Sequence, residues 1–108
     1  MQKDRHDRVK SLLLELVANF VQNEANPDPL ITITQVSTSP DYRQATVYFT
    51  TIPEGKEQDA LIFLKRNASE MRHQVKKRSD LKIIPHFEFS IDVGERHRQH
   101  IDDIAREI

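Results

Sequence analysis

Apolar residues recur along this chain with two different periods, and the switches between them mark out its elements. Val9, Leu12, Leu13, Leu16, Val17, Phe20 and Val21 fall at alternating steps of three and four, which lays one apolar stripe along an amphipathic helix. Asn26-Pro27-Asp28-Pro29 ends it, because proline lacks an amide proton and drives the preceding residue out of helical conformation. Leu30 to Val36 is rich in β-branched residues and reads as a strand, with Ile31 and Ile33 on one face and Leu30, Thr32, Thr34 and Val36 on the other. Ser37-Thr38-Ser39-Pro40-Asp41 is a turn cluster, so the second strand, Gln44 to Ile52, should run antiparallel to the first. In that strand Ala45, Val47 and Phe49 share the face expected to meet the core.

Pro53-Glu54-Gly55 breaks the second strand, and the helical period returns. Leu61, Leu64, Ala68, Met71 and Val75 lie on one side of a long helix that starts after Lys56 and ends near Ser79-Asp80. Leu81 to Phe89 then reads as a third strand, in which Pro85 demands an edge position or a bulge. Ile101, Ile104, Ala105 and Ile108 give residues 93–108 a short C-terminal helix. The order α-β-β-α-β predicts an α+β fold, a small three-stranded sheet with helices packed on one face, as a single domain over 1–108.

A chain of 108 residues with 37% hydrophobic content is enough for one domain with one core. With no Cys there is neither a disulfide framework nor a thiolate zinc site, which fits a cytoplasmic location. The first 20 residues, which start with the charged Met1 to Arg8, lack the uninterrupted apolar run expected of a signal peptide, and no stretch has the length to span a membrane. The formal net charge of -1 would by itself argue against a polyanionic partner. Its distribution reverses that inference. Residues 65–82 hold seven Lys/Arg against two Asp/Glu: Lys65, Arg66, Arg72, Lys76, Lys77, Arg78 and Lys82 against Glu70 and Asp80.

At about 100° per residue, Lys65, Arg72 and Lys76 share one flank of the long helix, with Arg66, His73 and Lys77 on the neighbouring flank. Such a band can neutralise several phosphates, although Lys76, Lys77 and Arg78 also suit a helix C-terminus on structural grounds alone. Arg8 is a further candidate, set among the acidic Asp4 and Asp7. Of the aromatic residues, Tyr42 in the turn and Tyr48 on the second strand lie outside the core periodicities, and both are expected to pack with the hydroxyl at the surface. His97-x-x-His100 has helical spacing for a shared metal but lacks a full ligand set, so no metal or other cofactor is expected. There is no Gly-rich phosphate loop, nucleophile elbow or Cys nucleophile, and the only glycines are Gly55 and Gly94. An enzyme is therefore not expected.

Several short segments, in order, resemble the bacterial ribosome-binding factor A family. Arg8-Val9 opens the first helix and Asp28-Pro29 closes it. Asp41 precedes Ala45-x-Val47-Tyr48-x-Thr50, and Met71-Arg72 precedes Leu81-Lys82-Ile83-Ile84-Pro85-x-Phe87-x-Phe89, which ends at Asp92. The resemblance implies a type II K-homology-like domain that binds the 16S rRNA of the small ribosomal subunit and assists its maturation. It also implies a monomer with no membrane or small-molecule partner, and makes Lys65, Arg66, Arg72, Lys76, Lys77, Arg78, Lys82 and Arg8 the expected RNA contacts. Where the family has an Ala-x-Gly kink, this chain has Asn67-Ala68-Ser69, so no sharp bend is required there. The alternative is a protein-interaction domain of similar fold whose charged face meets an acidic partner.

Overall fold

The structure, a computed structural model, describes residues 5–24 and 30–94. Helix α1 spans Arg5–Glu24 and buries Leu13, Val17, Phe20 and Val21, with Val9 and Leu16 packed at the edge of the core. Strands β1 (Leu30–Thr38) and β2 (Gln44–Ile52) pair antiparallel, as the intervening turn requires. Strand β3 (His86–Ile91) pairs parallel to β2, giving the sheet order β1-β2-β3 with β3 at an edge. Parallel pairing needs a crossover, and the helical segment between β2 and β3 supplies it.

The core-facing residues of the three strands are in register. Ala45 pairs with Phe87, Val47 with Phe89 and Phe49 with Ile91, while Val47 and Phe49 also pair with Val36 and Ile33. Three features depart from the sequence expectation. Val36 shares the buried face with Ile31 and Ile33, where strict alternation puts it opposite. A β-bulge between Ile33 and Gln35 is the cause, since one extra residue, Thr34, shifts the phase of everything after it. Thr34 then turns its hydroxyl to the backbone carbonyl of Tyr48 and to the carboxylate of Asp92.

The third strand also starts later than its apolar run suggests. Residues 81–85 lie outside the sheet, and the ladder opens with the His86 amide donating to the Arg43 carbonyl at 2.9 Å. Pro85 has no amide to donate, so the ladder can only begin after it. Of the expected C-terminal helix at 93–108, all but Val93 and Gly94 lies outside the described residues.

The long helix is in fact two, α2 (Glu57–Arg66) and α3 (Ala68–Arg78), interrupted at Asn67. The expectation of one long helix is thus corrected: the interruption is there without a glycine. Asn67 has φ -101° and ψ 7°, and its amide proton is shared between the carbonyls of Phe63 and Leu64. Its side-chain amide donates again to Phe63 O at 2.8 Å, which holds the end of α2. On either side, Leu64, Met71 and Val75 have no exposed surface, each worth roughly 1.5–3 kcal/mol of burial. With Val17, Val47 and Phe49 they form one core between the helices and the sheet.

Candidate nucleic-acid interface

Helix α3 presents Ser69, Arg72, His73 and Lys76 along one flank, facing the irregular segment that leads into β3. Together with Lys82 and Ile84 of that segment, they line an open groove of about 400 Å³. The segment is held there by Arg72. Its Nε donates to the Pro85 carbonyl and its Nη2 to the Ile84 carbonyl, both at 3.0 Å. These carbonyls lie outside the sheet and need partners, and a guanidinium supplies two at once in fixed geometry. Arg72 is half-buried by this role, while its charge still contributes to the groove.

Lys76 and Lys82 are exposed, and neither forms an ion pair among the described residues. The break at Asn67 adds to the field, since it gives α3 its own N-terminus at Ala68, beside Ser69. The first amides of a helix lack intrahelical acceptors, and the helix dipole is positive there. The groove thus combines cationic side chains with a helix start, an arrangement suited to a polyanion.

The structure divides the basic residues expected from the sequence. Arg72, Lys76 and Lys82 come together. Lys65 and Arg66 are exposed in the last turn of α2, across the interruption, so Lys65 no longer continues the Arg72–Lys76 flank. Lys77 is exposed in the last turn of α3 but does not line the groove. Arg78 lines a separate cleft with Leu16, Phe20, Asn23, Glu24 and Gln74, between α1 and α3. Arg8 is exposed on α1, away from the groove lining. His73 and Ser69 join the groove although neither was singled out as a contact. Their positions next to Arg72 and three residues before it on α3 are the signal that points to them.

On the opposite side of Lys82, the turn between β1 and β2 is fixed by its own polar groups. The Ser39 hydroxyl donates to Asp41 Oδ1 at 2.7 Å, and the Arg43 amide donates to the same oxygen at 3.1 Å. These bonds, the Ser39 contact first, hold the Asp41 carboxyl below its ordinary value of 3.8, with the nearby Arg43 charge adding a smaller part. No group of three or more His, Asp or Glu side chains able to hold a metal occurs among the described residues, and His97 and His100 lie outside them.

A family model described as ribosome-binding factor A matches residues 5–105. The ribosome-binding factor A of Opitutus terrae is 33% identical over 107 residues, covering 94% of this chain and 85% of that protein. Among solved structures, the crystal structure of ribosome-binding factor A from Thermus thermophilus superposes with a TM-score of 0.73 at 22% identity, over 82% of this chain and 97% of the other. A homology model of the Thermus thermophilus factor, fitted into a cryo-EM map of its 30S complex, gives a TM-score of 0.64 at 24% identity, over 75% of this chain and 88% of that one. The likeness to the solved structures carries the K-homology-like α+β fold. The match across almost the whole chain carries the family: this protein belongs to the ribosome-binding factor A family.

Proposed function

We propose that this protein binds the 16S rRNA of the small ribosomal subunit and assists maturation of that subunit, acting in the cytoplasm as one K-homology-like unit over 1–108. The observation that carries this reading is the convergence of Arg72, His73 and Lys76 from α3 with Lys82 from the next segment on one open groove. A rigid basic groove favours phosphates held at fixed spacing. Lys65, Arg66, Lys77, Arg78 and Arg8 would then be outlying contacts that add attraction without setting register. A related factor fitted into a 30S complex supports the choice of partner. Binding energy alone would favour one rRNA conformer, with no covalent step.

The test is binding of the full chain to small ribosomal subunits across a salt series, comparing the wild type with a Lys76→Ala, Lys82→Ala variant. Loss of affinity together with a salt slope shallower by about 2, one for each phosphate contact removed, is the expected outcome. Unchanged affinity and slope would move the interface off this groove. Equal competition by a generic acidic polypeptide would favour an acidic protein partner instead.

A further inference from the structure

Lys82 lines two depressions. One is the basic groove, and the other is a hollow of about 130 Å³ formed by Val9, Leu81, Ile83, Tyr42, Arg5 and Lys82 itself. At about 130 Å³ this hollow has room for one base and is far smaller than the sites that take metabolites. Its walls are apolar, with Ile83 43% exposed, and its rim carries the two cations Arg5 and Lys82.

Tyr42 reaches this place through an unfavourable backbone. Its φ of 61° lies in the left-handed region, the one such non-glycine residue among those described. A bulky aromatic is strained there, while glycine or asparagine is not. The surrounding turn imposes the conformation: the Tyr42 amide donates to Ser39 O at 3.0 Å, and the Gln44 amide donates to Ser39 Oγ at 3.1 Å. Such strain persists where surrounding bonds over-determine it, and it concentrates at ligand sites.

We propose that this hollow holds one unstacked base of a single-stranded RNA segment, set against Tyr42 and Ile83, whose phosphates pass Arg5 and Lys82 into the basic groove. The inference rests on the RNA-binding function proposed above. A cationic track beside an aromatic residue is the arrangement by which proteins hold single strands, and the shared Lys82 makes track and hollow continuous.

The test uses the full chain carrying Tyr48→Phe, which leaves Tyr42 as the only tyrosine in a protein without tryptophan. The ligands are a single-stranded oligoadenylate about ten nucleotides long and an abasic oligomer of the same length. The oligoadenylate should bind roughly tenfold tighter than the abasic oligomer and quench the tyrosine emission. Tyr42→Gly, which relieves the strained φ, should abolish that difference while leaving abasic binding unchanged, and Tyr42→Phe should restore it. Ile83→Ser, at an exposed position, should reproduce the loss if Tyr42→Gly fails to fold. Equal binding of the two oligomers without quenching would overturn the base site and leave the phosphate groove standing. Absence of binding by either oligomer at low salt would overturn both.

Discussion

The Arg72 guanidinium donates to the carbonyl of Pro85, thirteen residues away, and so ties α3 to the start of β3. Arg72 is therefore a clamp before it is a contact. Replacing it with Ala strips partners from the Ile84 and Pro85 carbonyls, and should lower stability by about 2 kcal/mol in urea denaturation. Arg72→Lys keeps the charge but cannot make both bonds, so most of the loss should remain. In subunit binding, Arg72→Lys should keep the wild-type salt slope, which separates the clamp from phosphate attraction.

A second tie joins the bulge of β1 to the residue after β3. The Thr34 hydroxyl donates to Asp92, a residue only 9% exposed, and the Asp92 amide donates to Phe49 O at 2.8 Å. Thr34→Val keeps the branched shape and removes the hydroxyl. Taking a partner from a buried carboxylate should cost about 1–3 kcal/mol, measured as a shift of the denaturation midpoint with unchanged slope. A shift below about 0.5 kcal/mol would mean that the other contacts of Asp92 suffice.

These two ties mark the limit of what the chain reveals before it is folded. The apolar stripe of α1, the turn at 37–41 and the inward set Ala45, Val47 and Phe49 follow from period and composition, because burial of one face dictates them. The bulge does not follow, since Leu30 to Val36 alternates acceptably in either phase and the contacts that accompany the observed one, Thr34 with Asp92 and Val36 with Val47, are distant in sequence. The start of β3 was half legible. Pro85 signals the interruption, but the apolar Leu81, Ile83 and Ile84 that line the two depressions resemble strand residues until Arg72 claims the carbonyls. In the candidate site, the crowding of Lys and Arg over 65–82 was plain, whereas the separation of Lys65 from Lys76 depends on the break at Asn67.

The turn at 39–44 should respond to acid in a defined direction. The Asp41 pKa is depressed by the Ser39 hydroxyl, then the Arg43 amide, so the ionised form is favoured in the folded protein. The stabilisation is complete well above 3.8, and is lost as pH falls through a midpoint lower than that. An NMR titration of the Arg43 amide proton should show this midpoint. Asp41→Ala should remove the transition and release the Ser39 hydroxyl. A midpoint at or above 3.8 would contradict the hydrogen-bond assignment.

Asn67 offers the sharpest test of how the break between α2 and α3 is maintained. Its side-chain amide satisfies Phe63 O, and its non-helical ψ of 7° prevents α2 from running on into α3. Alanine is the best helix former and lacks that amide, so Asn67→Ala removes the bond and favours a continuous helix. The amides of Ser69 and Glu70, now near a helix start, should become interior and exchange more slowly with solvent. The lost bond should cost about 1 kcal/mol, partly offset by helix propensity. Loss of the second helix start beside Ser69 should also weaken binding to small subunits. Unchanged exchange at Ser69 and Glu70 would show that packing around Leu64 and Met71, rather than Asn67, holds the break in place.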